Sequence, residues 1–454
     1  MRVSCIGIVL NALLCAAVPH GYNPPPPNCG DHGPAYLDNQ VSPARLYQNL
    51  VDIRSRTNGR PHVSPDRAFG SPSANQVSEW VYSRLDSPNY TRYTQQYSDT
   101  ALRYKLATPF KVGTTTYEAF KMSAQFDATV TIIKGPRGHG FCPNLQVQFD
   151  DNPPNNRVLL VEHNRCNTNV PLGFASLILI YNDNWTDWTP ETAPDPVPGS
   201  YIPVAYINRG VGIDLIRRIN RGESTETKFI TPTVQFPASG INVFAKSKGG
   251  DERRTIVLGA VLTTAPYTPG INEDGSGISL LLELFDIFKN YFPHNKILFA
   301  FWADNVNFHD ASGAKYWGNH LTATQKNNIF MYLHFQGVSN GTYGVLDGDG
   351  SSGLPPGPPG SGPIETLFRD QYTHKGINNV VDVGYLTYND FGEFVSFGKP
   401  VGGLYDLFGD ILHPAFPCRT FRCDDLRNVD THMLKINTQV AAQVLCNVAN
   451  RNSI

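Results

Sequence analysis

The sequence has almost no surplus of either charge: 37 lysines and arginines face 39 aspartates and glutamates, a formal net charge of −2. Without a basic excess or a run of like charge, there is no electrostatic footprint for a nucleic-acid partner and no charged tail. Charged residues are also sparse, at 17 %, while aromatics are plentiful, with 21 Tyr and 25 Phe. That balance excludes a chain kept disordered by its own charge. Beyond residue 17 no apolar run approaches the roughly 20 residues needed to span a bilayer, and the closing "NVANRNSI" has no anchor tail. The expectation is a folded protein with no nucleic-acid partner and no membrane anchor.

The one marked apolar run comes first. "MRVSCIGIVLNALLCAAVPHG" has a single positive charge, an apolar stretch from Cys5 to Ala17 and small residues at Cys15 and Ala17. This is the pattern of a secretory signal peptide over residues 1–17, and it predicts secretion. A proline-rich leader, 18–41, follows. Outside the signal six cysteines remain: Cys29, Cys142, Cys166, Cys418, Cys423 and Cys446. An even count in an exported chain predicts disulfides rather than nucleophilic thiols. Sequons at Asn89, Asn184 and Asn340 predict glycan sites.

At 454 residues the chain has room for two domains. Helical spacing marks "ARLYQNLVDIRS" and "NQVSEWVYSRL". Between residues 127 and 238, β-type runs ("ATVTIIKG", "RVLLVEH", "SLILIYND", "IPVAYIN") precede one helix, "GVGIDLIRRINRG". Strand–helix alternation then resumes through "RRTIVLGAV", "GISLLLELFDIFKNYF" and "NKILFAFWA", as in a mixed or parallel sheet between helices. The middle block thus reads as a unit inserted into an α/β domain. "GLPPGPPGSG" (353–362) reads as a surface loop. "DGDGSSG" from Asp347 opens like a calcium loop, but Pro358 stands where the twelfth-position Glu is required. "GVSNG" (337–341) matches Gly-x-Ser-x-Gly, yet turn and strand chemistry follows Ser339 instead of the helix that a serine nucleophile needs.

The most informative stretch is a glycine turn holding an acidic pair before an apolar helix, "GINEDGSGISLLLELF". With its preceding strand, "VLGAVLTTAPYTP", it resembles the signature region of secreted M28-family zinc aminopeptidases. "ILFAFWA", "YLHFQG", "GPPGSGPIETLF", "NDFGEFVSFGKPVGGLY" and "CRTFRCDDLRNVD" are similar to further family stretches, in the family's order. The resemblance implies an α/β fold: a three-layer, mixed central sheet flanked by helices, over residues 42–126 and 239–450. It also implies that residues 127–238 form an inserted β-rich protease-associated domain. Of the disulfides, it implies Cys418–Cys423 within a Cys-x4-Cys loop. Cys142–Cys166 is expected within the insert, and Cys29–Cys446 is then left to tie the chain ends.

Family activity rests on two zinc ions bridged by a carboxylate and a water, with a neighbouring Glu as base. Carried over residue by residue, the resemblance puts the His of the family's His-x-Asp on Val261 and its Asp partner on Thr263. The bridging Asp falls on Glu273. The Glu-Glu pair, base then ligand, falls on Asp304-Asn305 or on Asn305-Val306, with Asp304 the candidate for the base. The Asp of the fourth strand falls on Gln336 and the last His on Thr420. Zinc takes imidazole nitrogen, thiolate or carboxylate oxygen, and of the ligand positions Glu273 alone keeps such a donor. No cofactor is expected, and the chain is read as a pseudopeptidase that binds a peptide or protein. The alternative is an active zinc exopeptidase with a rebuilt site, drawn from Glu273, His309, Asp310 and His334. The bland reading makes His334 a packed strand residue, His309 and Asp310 a solvated loop, and Asn272 and Asp274 caps for the helix that follows.

Overall fold

A computed structural model of the chain describes residues 29–31, 34–57, 66–104, 107–120, 127–134, 157–162, 177–181, 204–230, 233–264, 268–304, 311–353, 355–384, 389–405 and 424–451. After α1 (Pro34–Gln40), the two expected helices form as α2 (Pro43–Arg56) and α3 (Pro72–Arg84). Each begins with a serine cap and a proline in its first turn: Ser42 Oγ accepts from Arg45 N, and Ser71 Oγ from Ala74 N.

Strand β1 (Tyr90–Tyr104) leads away from these helices. A second sheet then intervenes: β2 (Ala107–Val112), β3 (Thr115–Phe120), β4 (Asp127–Lys134), β5 (Arg157–Glu162), β6 (Leu177–Tyr181), β7 (Val204–Ile207), helix α4 (Arg209–Asn220) and β8 (Glu226–Ile230). Its seven strands run in the order β2-β3-β7-β6-β5-β4-β8. The outer strands β2 and β8 approach each other, and Phe110 stacks on Phe229 at 4.5 Å, so the sheet curls around its own core. Strand β9 (Thr233–Ser247) returns antiparallel along the whole of β1. The expected runs of the middle block all form, but its limits need correcting. The second sheet starts at residue 107 rather than 127, because the β2–β3 hairpin joins it through Phe120 opposite Tyr206. It ends at residue 230, because β9 from Thr233 onward pairs with β1.

The rest of the chain completes the main sheet: β10 (Asp251–Val261), α5 (Gly277–Phe288), β11 (Asn295–Trp302), α6 (Ser312–Asn319), α7 (Ala323–Asn328), β12 (Ile329–Gln336), β13 (Tyr343–Leu346), α8 (Ser361–His374), β14 (Val380–Val383), α9 (Phe391–Ser396), β15 (Val401–Tyr405) and α10 (Thr431–Ala449). The order is β1-β9-β11-β10-β12-β15-β13-β14, with β11, β10, β12 and β15 parallel at the centre. Strands covered on both faces read as continuous apolar runs, and "KILFAFW" is one. Ile297, Phe299 and Phe301 point into the layer of α2, α5, α8 and α10. Leu298, Ala300 and Trp302 point into the layer of α6 and α9, against Trp317 and Phe394. The expected three layers are present, and among the described residues no helix is long and apolar enough to cross a membrane.

Cys29 is disulfide-bonded to Cys446 on α10, with Cα atoms 5.9 Å apart. Cys142, Cys166, Cys418 and Cys423 lie outside the described residues. Two sequons are described. Asn89 is half-buried at the turn before β1, its Nδ2 donating to Lys289 O at 2.9 Å. Asn340 is only 1 % exposed, which corrects the expectation of a glycan there, since an oligosaccharide needs an accessible amide. Asn184 lies outside the described residues.

Cross-linking residues so far apart removes much conformational freedom from the unfolded chain. The double variant Cys29→Ser/Cys446→Ser is expected to lose about 2–5 kcal/mol of unfolding free energy, read by denaturant titration.

Candidate functional site

The parallel strands β10, β11 and β12 end side by side, and the chain turns sharply after β10. Residues 268–276 form an irregular turn that is almost wholly buried, so its backbone polar groups must find partners inside the protein. Gly270 takes a left-handed conformation (φ +59°), and a Cβ there would stand 2.2 Å from Thr264 Cγ2. Glu273 and Asp274 follow, joined by a cis peptide bond.

Three charged side chains satisfy this turn. Arg67, completely buried, donates from Nε to Leu262 O (3.0 Å), from Nη1 to Pro269 O (2.5 Å) and from Nη2 to Gly270 O (2.9 Å). Burial pulls its guanidinium down to about 10, against the attraction of Asp424, Asp274 and Asp66. Asp424 accepts from Asn272 N at 2.5 Å and Glu273 N at 2.9 Å. Asp274 accepts from Val261 N at 2.7 Å and Gly277 N at 3.1 Å, tying the end of β10 to the start of α5. Its burial, and then the adjacent Glu273 charge, push its carboxyl well above the ordinary value. The expected cap at Asp274 is therefore present. Asn272 does other work: its Oδ1 accepts from Ser339 N (3.0 Å) and Ser339 Oγ (2.7 Å), and so ties the turn to the one after β12.

Of the residues placed by the family pattern, Glu273 and Gln336 are brought together: Gln336 Nε2 donates to Glu273 Oε1. The Oε1 of Gln336 is buried without a hydrogen-bond partner. Val261 ends β10, 7 % exposed, with its amide on Asp274. Thr263 Oγ1 donates to Asp304 O at 2.5 Å. Asp304, 4 % exposed, accepts at Oδ1 from Gly313 N (2.8 Å) and Ala314 N (3.2 Å), and so caps α6. Asn305, His309, Asp310 and Thr420 lie outside the described residues. Zinc needs imidazole nitrogen, thiolate or carboxylate oxygen. Val261 has none, and the Glu273 carboxylate is bonded by an amide.

His334 is fully buried on the same face of β12 as Gln336. Its Nδ1 lies 2.7 Å from Asp390 Oδ1, at an angle that makes no hydrogen bond, and its ring stands edge-on to Phe391 and Tyr405. Asp390 Oδ2 accepts from Tyr332 Oη at 2.6 Å, which in turn accepts from Trp302 Nε1 at 2.9 Å. Burial, and then Asp390, push the Tyr332 phenol far up. Ser339 is buried in a turn followed by β13, its hydroxyl given to Asn272. It stands on no strand-to-helix elbow.

A second acidic group was half legible. Asp347, Asp349 and Glu365 bring one oxygen each within 4.8 Å of one another. The sequence marks Asp347 and Asp349, but Glu365 arrives from α8. Their oxygens are engaged by donors. Glu365 Oε2 accepts from Gly348 N (2.8 Å), and Asp347 accepts from Gly350 N (2.7 Å), Ser351 N (3.1 Å), Ser352 N (3.0 Å) and Ser352 Oγ. Burial alone would raise the Asp347 carboxyl, but the Ser352 and backbone donors outweigh it and hold it below the ordinary value.

Comparison with known proteins agrees with this fold. Residues 242–445 match Peptidase family M28. The probable leucine aminopeptidase 2 of Aspergillus fumigatus is 31 % identical over 267 residues, covering 56 % of this chain and 52 % of that protein; the match thus spans about half the relative's length. Among solved structures, the aminopeptidase from Aneurinibacillus sp. strain AM-1 superposes with a TM-score of 0.60 at 15 % identity, covering 93 % of this chain and 97 % of the other. BSAP, a zinc aminopeptidase from Bacillus subtilis, gives 0.60 at 13 %, covering 91 % and 97 %. At these identities the superpositions speak for the fold alone. The chain is M28-aminopeptidase-like in sequence and fold.

Two predictions follow from the carboxylates. Asp424→Ala leaves two buried amides without acceptors and is expected to cost about 1–3 kcal/mol for each, with Asp424→Asn, which keeps one acceptor oxygen, falling between it and the parent in denaturant titrations. For Asp347 the folded carboxyl lies below its unfolded value of 3.8, so its stabilisation is present above that pH and is lost as pH falls through the folded value. Asp347→Asn is therefore expected to be less stable than the parent at neutral pH by about 1–3 kcal/mol, and the gap should narrow in acid.

Proposed function

We propose that this protein is a secreted relative of the M28 aminopeptidases that no longer hydrolyses peptides and acts by binding a peptide or protein. The observation that carries the reading is the hydrogen bond from Gln336 Nε2 to the Glu273 carboxylate. A carboxylate that bridges two zinc ions offers an oxygen to each; here an amide donor takes that oxygen instead. Val261 brings methyl groups where an imidazole would be needed. Arg67, Asp274 and Asp424 hold the turn with protein donors and acceptors, so its shape needs no ion. The same scaffold can then serve binding without cleavage, since a fold does not fix a function.

The test is zinc content by mass spectrometry after incubation with zinc and desalting, together with hydrolysis of leucine p-nitroanilide. No retained zinc and no hydrolysis are expected. About two zinc ions per chain with chelator-sensitive cleavage would overturn the reading. A single zinc with cleavage would also overturn it, in favour of a rebuilt exopeptidase site among Glu273, His309, Asp310 and His334.

A further inference from the structure

The loop between β13 and α8 contains "PPGPPG" at residues 355–360, a motif to which the binding reading gives no role. Both ends of the loop are fastened. Asp347 accepts from the amides of Gly350, Ser351 and Ser352, while Gly357 N donates to Gly348 O at 3.2 Å and Ser361 N to Pro358 O at 3.0 Å. Over residues 355–360 the backbone forms neither helix nor strand, and Pro355, Pro356 and Pro359 are exposed. A proline fixes its own φ and keeps the residue before it out of the helical region, so Pro355 and Pro358 are biased toward polyproline II. Glycine follows each Pro-Pro pair. Gly360 takes φ +97°, and a Cβ there would stand 2.9 Å from Pro400 Cγ, so the fold itself requires it. Gly357 has no left-handed φ to account for it. The result is the Pro-Pro-Gly triplet twice over, the repeat in which collagen carries hydroxyproline before glycine. Another Pro-Gly step, Pro269–Gly270, makes the contrast: it is buried in the turn after β10, with Pro269 O held by Arg67 Nη1. A hydroxyl on that ring would be enclosed, whereas one on Pro356 or Pro359 would meet water.

We propose that Pro356 and Pro359 are sites of prolyl 4-hydroxylation by an iron(II)- and 2-oxoglutarate-dependent dioxygenase met in the secretory pathway; this rests on the secretion part of the reading above. A C–H bond at the proline Cγ breaks and a C–OH bond forms there, with one oxygen atom taken from O2. The other oxygen atom enters succinate as 2-oxoglutarate loses carbon dioxide. Proline and 2-oxoglutarate are thus oxidised and O2 is reduced. The new hydroxyl is a donor and an acceptor on an exposed ring. The backbone ties at the two ends of the loop do not involve Cγ, so they stay as they are.

The experiment is peptide mass spectrometry of the full chain collected from the medium of cultured animal cells, beside the same chain made in the bacterial cytoplasm. The expected result for the secreted chain is a gain of one oxygen atom at Pro356 and at Pro359, identified as 4-hydroxyproline by amino-acid analysis of the isolated peptide, with Pro269 unmodified. The gain is expected to fall at least tenfold when the cells are treated with a 2-oxoglutarate analogue that inhibits such dioxygenases. Gly357→Ala, which breaks the first triplet and leaves every proline in place, is expected to lose the gain at Pro356 and keep it at Pro359. Should that variant fold poorly, the inhibitor comparison on the parent chain carries the test. A secreted chain with no gain at either proline would overturn the inference alone. A gain that the inhibitor does not lower, or that the bacterial chain shows equally, would overturn it as adventitious oxidation. A chain that stays inside the cells would overturn the secretion reading and the inference with it.

Discussion

An irregular backbone turn buried at the centre of a protein must be hydrogen-bonded from outside itself, and this obligation organises the molecule. The turn after β10 loses helical backbone geometry at Glu273 and Asp274, so its own backbone cannot pair all its polar groups. Its amides and carbonyls are met by Arg67, Asp274 and Asp424, which are remote from one another in sequence. Arg67 comes from the segment before α3, and Asp424 from just before α10. Each pins a separate part of the chain to the ends of the central strands. Removing a charge from such a set is costly, because what remains is a buried group without its partner. The same three residues hold the form of the turn with donors and acceptors from the protein itself.

Around that turn the two faces of the sheet do different work. One face is almost purely apolar, with Met331, Leu333 and Phe335 of β12 buried in the larger helical layer. The other mixes aromatics with a polar chain from Trp302 through Tyr332 and Asp390 to the neighbourhood of His334. Gln336 continues this second face to the strand end, where it meets Glu273. The period of two along β12 thus places the polar chain and Gln336 on one line.

Local patterns were readable where local physics decides. The caps and apolar spacing of α2 and α3, the continuous apolar strands, and the Gly-Ser-Gly turn before α5 all lie within short windows of sequence. The limits of the second sheet were not readable. Whether β2 and β3 join it depends on one pairing, Phe120 with Tyr206, across more than eighty residues of chain. Partners that act over long separations left no local mark either. Asp424 and Asp390 were visible only as parts of similar stretches, and Arg67 was not singled out. The Asn340 sequon failed for a related reason: a three-residue motif carries no information about burial. The Glu273–Gln336 contact was half legible. Glu273 and Gln336 were each placed by resemblance, but their contact, and the unmatched oxygen beside it, belong to the folded chain.

The bond between Cys29 and Cys446 has a topological consequence. It closes the polypeptide from α1 through α10 into a covalent ring, so force applied at the two ends passes through the sulfurs rather than the sheet. A single peptide cut anywhere inside the ring, for example in the glycine- and proline-rich loop around residues 355–360, opens it without releasing a fragment. The two pieces stay tethered, with α10 still anchored beside α1. A first cut would then be a scar rather than a dismemberment.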